Sequence, residues 1–334
     1  MHYPAAYPAA ARDRDRFVVV RRGERPRHDP WQYQDVIIED ERNADGRLAR
    51  TGTVLLTGRE CPWRCVMCDL WLGTTVADTP RGAIAAQIAA ARQHWDHQGD
   101  HVTAMKLYNA GSFFDPRAVP EDDYDGIARE LTGLDRVIVE SHPALVEGRV
   151  DRFVAALASH AGNPDSAPRL EIAMGLETVH PDALDKLNKR MTVESFAGAA
   201  GVLRERQVAL RVFLLIAPPG IAAADQDEWL CRSVGTAVAC GATAVSLVPT
   251  RGGNGAMETL SAAGTFREPR LVEIERSLDI VFSRTPTARI FVDVWDLQRF
   301  SDCAECFDER RARLQSINLE QRVKPPVRCR RCSS

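Results

Sequence analysis

Residues 53–68 read Thr-Val-Leu-Leu-Thr-Gly-Arg-Glu-Cys-Pro-Trp-Arg-Cys-Val-Met-Cys. The apolar and β-branched run Thr53–Thr57 predicts a strand, and Cys61, Cys65 and Cys68 follow it within one short loop. Three thiolates in such a loop can hold three irons of a cubane cluster and leave the fourth iron without a protein ligand. An open position on a metal is typical of catalytic rather than structural sites. The stretch therefore predicts a reactive iron–sulfur site at the end of a strand.

The same three cysteines allow two other interpretations, a zinc site and a group of unrelated thiols. A structural zinc site takes four protein ligands, and no fourth cysteine or histidine lies close to the loop in the sequence. We therefore favour the iron–sulfur interpretation over both alternatives.

Beyond this loop, β-branched runs alternate with alanine-rich stretches of helical spacing, such as Ile84–Trp95, Leu145–His160 and Val193–Arg206. This alternation implies parallel strands joined by right-handed crossovers. We predict an α/β fold, an incomplete (β/α)6 barrel of the TIM type, because six units and a last strand do not fill a closed eight-fold barrel. The predicted strands are Val36–Glu39, Thr53–Thr57, Val102–Tyr108, Arg136–Glu140, Arg169–Leu176, Ala209–Ile216, Ala242–Val248 and Arg289–Val294.

The composition is that of a folded, nearly neutral protein. The chain has 334 residues, 45% of them hydrophobic, and 43 basic against 46 acidic residues give a net charge of −3. This balance argues against a protein that coats nucleic acid non-specifically. No stretch has the roughly 18 apolar residues that cross a bilayer, and no signal peptide is evident. We expect a cytoplasmic protein with no membrane partner, in which clustered cysteines bind metals rather than form disulfides.

The cysteine spacing after the first strand of a βα repeat resembles the radical S-adenosylmethionine (SAM) superfamily. The resemblance implies that Cys61, Cys65 and Cys68 hold a [4Fe–4S] cluster whose fourth iron binds the amino and carboxylate groups of SAM. It further implies reductive cleavage of SAM to methionine and a 5′-deoxyadenosyl radical, which abstracts hydrogen from the substrate. Met67 stands where the family usually has an aromatic residue, and methionine can still pack against adenine. An electron donor is implied as a partner, either a reductase or a flavodoxin or ferredoxin.

The resemblance also implies a set of SAM-binding residues at the ends of the predicted strands. The turn after the second barrel strand would meet the SAM amino group, with Asn109 or Ser112 replacing the usual acidic residue. Glu177 would bind the ribose hydroxyls, and Glu140 would share those contacts or line the substrate side. Of the adjacent cations Lys189 and Arg190, we favour Arg190 for the SAM carboxylate because guanidinium offers two parallel donors. The expected cofactor-binding residues are Met67, Asn109, Ala110, Gly111, Ser112, Glu140, Glu177 and Arg190. A plain turn, a helix cap and a solvated helix end are the alternatives.

Two phrases, Leu107–Pro116 and Gly175–Thr178, narrow the resemblance to the branch with archaeosine-synthase-type proteins and the catalytic subunit of Elongator. Those relatives act on tRNA, which implies tRNA or a nucleoside as substrate here. Elongator's acetyltransferase domain has no counterpart in this chain. Two other classes stay open: a tailoring enzyme on a small molecule or peptide, and a non-catalytic, metal-dependent RNA-binding protein. The glycine-rich loop after the sixth barrel strand is a candidate substrate contact through Arg251 and Asn254, or else a flexible connection.

The last segment carries two further cysteine pairs, Cys303/Cys306 and Cys329/Cys332, each of the form C-x2-C. Two such turns complete a tetrahedron of thiolates. We expect zinc, with an auxiliary iron–sulfur cluster and disulfides as alternatives. Arginines in this tail predict either contact with an RNA backbone or a solubilising surface. The expected domains are an extension over 1–50, a radical SAM partial barrel over 51–300, and a four-cysteine module over 301–334.

Overall fold

A curled, eight-stranded sheet forms the centre of the molecule. The structure is a computed structural model that describes residues 3–4, 6–109, 111–163, 166–284 and 286–332. The sheet runs in the order β1-β2-β5-β6-β7-β8-β9-β10; β1 pairs antiparallel with β2, and all other neighbours pair in parallel. Its strands are β1 (Asp35–Arg42), β2 (Leu48–Leu56), β5 (Ala104–Asn109), β6 (Arg136–Glu140), β7 (Arg169–Glu177), β8 (Ala209–Ile216), β9 (Ala242–Pro249) and β10 (Arg289–Val292).

Helices follow the parallel strands and cover the outside of the sheet. A two-stranded ribbon of β3 (Gly58–Arg59) and β4 (Thr74–Thr75) flanks the cysteine loop. None of the helices in the described residues combines the length and apolarity needed to cross a membrane. The helices are α1 (Ala11–Val19), α2 (Ala83–Gln98), α3 (Tyr124–Glu130), α4 (Arg149–Ser159), α5 (Pro181–Lys186), α6 (Val193–Glu205), α7 (Gln226–Ala239), α8 (Ala256–Ala262), α9 (Leu271–Ser283) and α10 (Ala304–Glu320).

The predicted incomplete barrel is confirmed. In a flat sheet, the four strands between β1 and β8 would separate them by about 24 Å, because neighbouring strands lie about 4.8 Å apart. Yet Glu41 of β1 and Arg211 of β8 form an ion pair of 2.6 Å. The sheet is therefore curled into a half-barrel, with one face turned inward to a lumen and the other packed against the helices.

Strand alternation divides the side chains between these two faces. In β8, Leu210, Val212 and Leu214 belong to the main apolar core, whereas Arg211 and Phe213 between them face the lumen. The outer contact is tight at one point, since a Cβ on Gly52 would lie 2.4 Å from the ring of Trp95 in α2. Only glycine lets β2 approach α2 this closely.

The floor of the lumen, at the amino ends of the strands, is an ion-pair network rather than an apolar layer. Glu41 accepts from Arg211 at 2.6 Å, from Arg136 at 2.8 Å and from Lys106 at 2.7 Å. Glu171 accepts from Arg211 at 2.6 Å and from Arg136 at 3.2 Å. All five side chains are less than a tenth exposed. Buried charges are tolerated when paired and hydrogen-bonded in this way.

The free edge of β10 is covered by α10 through side-chain amides. Asn318 accepts from the Val292 N–H at 2.9 Å and donates to its carbonyl at 2.8 Å. Gln321 does the same for Ile290, at 2.7 and 2.8 Å. These amides replace a neighbouring strand, and they satisfy backbone groups that an edge would otherwise leave open. The four-cysteine tail therefore packs directly on the barrel; the predicted domain limits at 50 and 300 stay predictions.

The N-terminal segment, residues 3–25, contains a helix where the sequence suggested only a flexible start. Phe17 and Val18 of α1 are buried in a second apolar cluster together with Val66 of the cysteine loop and Met257 of α8. Arg14 of the same helix pairs with Asp185 at 2.9 Å. Tertiary packing thus fixes a helix that its charged sequence alone does not predict.

Candidate active site at the carboxyl edge of the half-barrel

The cysteine loop, residues 61–68, lies at the carboxyl edge of the parallel strands, as predicted. Its backbone is tied to the segment between α5 and α6. The Val66 N–H donates to the Leu187 carbonyl at 2.9 Å, and the Asn188 amide donates to the Arg64 carbonyl at 2.9 Å. These bonds fix the backbone of the loop against the barrel.

Burial raises the pKa of each loop thiol to about 12, and the nearby Lys189 ammonium opposes this shift at Cys61 and Cys65. Such thiols stay protonated at neutral pH unless a cation takes the place of the proton. Metal binding deprotonates cysteine outright. The three loop thiols are therefore suited to bind a metal group, and each thiol would lose its proton when the metal binds.

A stacked ring pair holds the loop against the end of β6. Trp63 lies on His142, with 3.6 Å between ring centroids and planes 9° apart. Nδ1 of His142 accepts from the Ala144 N–H at 3.2 Å, so Nε2 carries the proton and donates to the Lys189 carbonyl at 3.0 Å. Burial, aided by the Lys189 charge, lowers the pKa of His142 to about 4. The imidazole is therefore neutral and acts as a support for Trp63.

The cation beside the thiols is Lys189, not Arg190. Lys189 Nζ donates to Glu177 Oε1 at 2.6 Å, and both side chains are largely buried. Burial lowers the pKa of Lys189, but Glu177 and Cys65 more than offset this and leave it above its ordinary value. Arg190 instead pairs with Asp15 of α1 at 2.6 Å and is 38% exposed. The sequence analysis favoured Arg190, whereas the structure brings the adjacent residue, Lys189, to the cysteines.

Local backbone strain makes room for this ion pair. Glu177 has φ of +67°, at an irregularity between β7 and β8. A Cβ on Gly175 would lie 2.1 Å from Glu177 Oε1 and 2.3 Å from Lys189 Nζ. Asn188 and Arg190, on either side of Lys189, also have positive φ, both 59°. Strained backbone that surrounding structure enforces is common at functional sites.

The turn after β5 presents a buried amide without partners. Among the described residues, neither Oδ1 nor Nδ2 of Asn109 has a hydrogen-bond partner. Gly111 lets the turn approach closely, because a Cβ there would lie 2.7 Å from the Arg59 carbonyl oxygen. Ser112 accepts from the His142 N–H at 2.8 Å, and Ala110 lies outside the described residues. An orphaned buried amide is costly and is explained by a ligand that satisfies it.

Glu140 ends β6 close to Glu177 and Lys189. Burial raises the pKa of its carboxyl to about 8, although the Asn109 backbone N–H and the Lys189 charge act in the opposite direction. The group is therefore mostly protonated at neutral pH and can donate a hydrogen bond. Together with Asn109, it gives the edge a neutral polar pair beside the Glu177–Lys189 ion pair.

The two candidate substrate residues contact the cysteine loop instead. Asn254 donates to the carbonyl of Val66 and, at 3.1 Å, to that of Cys68, and its Oδ1 caps α8. Arg251 pairs with Asp69 at 3.0 Å, directly after the loop. In this structure both side chains position the cysteines, and their role toward substrate stays a prediction.

The four tail cysteines come together as predicted. Their sulfur atoms all lie within 4.8 Å of one another. Cys306 and Cys332 are 3.3 Å apart, and Cys303 and Cys329 are 3.9 Å apart, between sulfurs. Four cysteines converge here from the start of α10 and from the returning tail, which makes a metal-binding group.

Comparisons with known proteins agree with this geometry. No family model matches the chain. The chain is 25% identical over 289 residues to the archaeosine synthase subunit beta of Methanosarcina acetivorans, covering 83% of this chain and 81% of that one. It is 23% identical over 273 residues to an uncharacterised protein of Methanocaldococcus jannaschii, covering 77% and 72%. The chain resembles the archaeosine synthase and Elp3 branch of radical SAM proteins.

Among solved structures, the radical SAM-like half-barrel matches the archaeal Elp3 of Methanocaldococcus infernus lacking residues 1–46. The TM-score is 0.52 at 12% identity, over 71% of this chain and 59% of that chain. This likeness concerns the fold, and it spans less than two-thirds of the Elp3 chain. The fold and the branch expected from the sequence are thus confirmed.

The residues present fit the cofactors of a radical SAM protein. Three thiols in one loop match the three protein-ligated irons of a [4Fe–4S] cluster. The unpartnered Asn109 amide and the Lys189 ammonium suit the amino and carboxylate groups of a bound methionine moiety. The carboxylate of Glu177, which pairs with Lys189, can accept hydrogen bonds from vicinal hydroxyls.

Replacement of Asn254 by alanine is expected to loosen the cysteine loop without removing a thiol. The variant loses two bonds to loop carbonyls and the cap of α8, so bound iron should be lost to a chelator about tenfold faster. The measurement is iron retained per chain over time under anaerobic conditions. Asn163→Ala, in an exposed turn, is the control; equal rates for the two variants would contradict the anchoring role.

Proposed function

We propose that this chain is a radical SAM enzyme that modifies a nucleobase of tRNA. One observation carries the proposal: the three-thiol loop, the Glu177–Lys189 pair and the unpartnered Asn109 meet at the carboxyl edge of a parallel half-barrel. This is the edge at which α/β folds of this kind perform their chemistry. A non-catalytic RNA-binding scaffold has no need for a largely buried cation beside three partly buried thiols.

The cofactors are assigned to residues as follows. Cys61, Cys65 and Cys68 hold the [4Fe–4S] cluster, Lys189 and Asn109 meet the methionine moiety of SAM, and Glu177 binds the ribose. When bound and reduced, the cluster supplies the electron that cleaves SAM to methionine and a 5′-deoxyadenosyl radical. A reductase with flavodoxin or ferredoxin is the proposed electron source.

The protein residues have three tasks in this reaction. The N-terminal segment covers the cysteine loop, with Arg22 paired to Glu60 at 2.6 Å directly before Cys61, and so excludes water. The His142–Trp63 stack orients the loop. The charged lumen floor closes the barrel from below, so a substrate reaches the radical only from the carboxyl edge. Exclusion of water protects a reactive intermediate from side reactions.

The substrate assignment rests on the archaeosine synthase relative, whose match extends over 81% of its length. We therefore propose a tRNA nucleobase rather than a free small molecule or peptide. The tail contributes less to RNA binding than its composition suggests, because Arg322 and Lys324 pair with Glu320 and Arg331 pairs with Glu305. The neighbouring carboxylates lower the positive potential that a phosphate backbone would meet at these side chains.

For the tail we propose one zinc ion rather than an auxiliary cluster. Zinc–sulfur bonds of about 2.3 Å place tetrahedral thiolates about 3.8 Å apart, which agrees with the sulfur separations of 3.3 and 3.9 Å. Four cysteines that bind an iron–sulfur cluster are spread over at least two irons, so some pairs of their sulfurs lie farther apart than the 4.8 Å limit within which these four sulfurs fall.

The test is release of 5′-deoxyadenosine from SAM by anaerobically reconstituted protein with dithionite, then with flavodoxin and its reductase. We expect release in the wild type, none above background in Cys65→Ala, and normal release in the control Cys231→Ala. Added tRNA carrying the nucleobase precursor should increase turnover and yield a modified nucleoside. Iron-free protein that binds only zinc after reconstitution would overturn the radical proposal. Release that no tRNA affects would overturn the substrate proposal and favour a tailoring enzyme.

A further inference from the structure

Arg310 connects the four-cysteine group to the body of the barrel. Its Nε donates to Cys306 Sγ at 3.2 Å and its Nη2 to Cys332 Sγ at 3.8 Å. Its Nη1 donates to Glu275 of α9 in a buried ion pair. Each nitrogen of one guanidinium thus has its own partner, two of them sulfurs and one a carboxylate of a neighbouring helix. The side chain is only 4% exposed.

The positions of the Arg310 donors favour a metal ion bound at the four cysteines. Four thiolates around one divalent ion carry two excess negative charges, and N–H donors directed at the sulfurs stabilise that charge. Arginine is suited to this because its donors lie in a fixed plane and it cannot lose its proton. A lysine at this position would have to make all three contacts from one nitrogen, without the fixed planar fork of the guanidinium.

The same buried cluster fixes the returning tail. Arg313, one turn further along α10, pairs with Asp279 at 2.8 Å and with Glu275 at 3.3 Å. It also donates to the carbonyls of Lys324 and Pro325, at 2.7 and 2.9 Å. The chain that brings Cys329 and Cys332 back to α10 is therefore held by the neighbouring arginine.

The far end of the same helix closes the sheet. Asn318 and Gln321 provide the amides that satisfy the free edge of β10, at Val292 and Ile290. A helix is stiff over this length, so whatever fixes its first turns also fixes these amides. The metal group at one end and the sheet edge at the other are thus parts of one rigid unit.

We propose that Arg310 is a positioning residue through which metal binding at the four cysteines holds α10 against the open edge of the half-barrel. This rests on the proposed single ion in the tail and is independent of the proposed radical chemistry. The ion is then a structural element of the barrel itself, and its loss should expose the edge of β10 rather than merely release the tail.

The experiment compares zinc release and backbone hydrogen exchange on the full chain. In the wild type, zinc removal by a chelator should accelerate exchange at Ile290 and Val292 about tenfold or more, with strand β7 unchanged. Arg310→Gln should release zinc about 10- to 100-fold faster and show fast exchange at the same two amides. Arg311→Gln is the matched control, since this exposed neighbour forms an ion pair with Asp308 and lies over the Phe307 ring.

Two further variants separate the possible causes. Cys332→Ala removes one metal ligand but keeps the Arg310–Glu275 pair, and it should reproduce the fast exchange of β10. Arg310→Lys keeps the charge and should rescue zinc retention only partly. If no metal binds the tail, the proposed zinc ion is wrong. If metal binds but its removal leaves Ile290 and Val292 protected, or if Arg310→Gln behaves like Arg311→Gln, the coupling proposed here is wrong.

Discussion

Glu41→Ala should lower the free energy of unfolding by about 4 kcal/mol. The substitution leaves Lys106, Arg136 and Arg211 in the floor of the lumen without their shared carboxylate. Removing one partner of a buried ion pair costs about 3–5 kcal/mol, because an uncompensated charge stays buried. Urea unfolding of zinc-loaded protein, followed by tryptophan fluorescence, measures the loss. Folding of the variant with normal stability would show that the network is dispensable.

Asp40→Ala is the matched control for this experiment. Asp40 is the preceding residue of β1 and is exposed, with a 3.6 Å ion pair to Arg50, so its loss should cost less than about 1 kcal/mol. The pH dependence of stability is a second measurement of the role of Glu41. Burial alone would raise the pKa of the Glu41 carboxyl, but Arg211, Lys106 and Arg136 hold it well below its ordinary value. Wild-type stability should therefore fall as the pH drops below the unfolded-state pKa of about 4.3, and Glu41→Ala should show less of this fall.

Lys189→Met should reduce 5′-deoxyadenosine formation at least about 100-fold and weaken SAM binding. The substitution removes the cation that lies beside Cys61 and Cys65, and it leaves the Glu177 carboxylate buried without a partner. A factor of 100 corresponds to about 2.7 kcal/mol, which is within the cost of losing one charge-assisted pair at a buried site. The measurements are the initial rate of 5′-deoxyadenosine release and the dissociation constant of SAM at fixed iron content.

Arg190→Met is the control, because Arg190 pairs with Asp15 at the surface of the N-terminal segment; we expect less than about a threefold effect. The double variant Glu177→Gln/Lys189→Met separates two roles. If Lys189 only neutralised Glu177, this variant would recover activity. We expect it to regain stability but not SAM binding, because in the proposed assignment the Lys189 ammonium itself binds the SAM carboxylate.

The strands and helices of the fold could be predicted where they depend on local residue patterns. All seven predicted barrel strands overlap observed ones, because β-branched runs such as Val212–Ile216 carry a strong local signal. The lumen floor was not predicted, although one charged residue stands near the start of several strands, as Lys106 and Arg211 do. Whether such a residue faces water or an opposing charge depends on the curl of the sheet, which brings β1 to β8 and has no local signal.

The candidate site, too, has a part that local sequence patterns predict and a part that depends on the folded chain. The three loop cysteines lie within eight residues of one another. Their spacing indicated a candidate iron–sulfur site, and the chemistry expected of it came from the resemblance to the radical SAM superfamily. The choice between Lys189 and Arg190 depends on positive φ angles at Asn188 and Arg190, which no side-chain preference reveals. One indirect signal was available. Lysine is rare in this arginine-rich chain, with only four residues, and two of those four, Lys106 and Lys189, lie in ion pairs with only 7% and 13% of their side chains exposed. The Trp63–His142 stack joins two segments that are distant in the chain, and neither segment carries a sequence pattern that predicts the contact.

The side-chain amides that cover the free edge of β10 also affect how the protein behaves at high concentration. The side-chain amides of Asn318 and Gln321 cover an edge whose strand, Arg289–Val292, is apolar over three of its four positions. An unsealed edge of this kind is a template for strand pairing with another molecule. Protein produced with too little zinc should therefore self-associate through this strand, and the yield of monomer should depend on zinc supply as well as on iron.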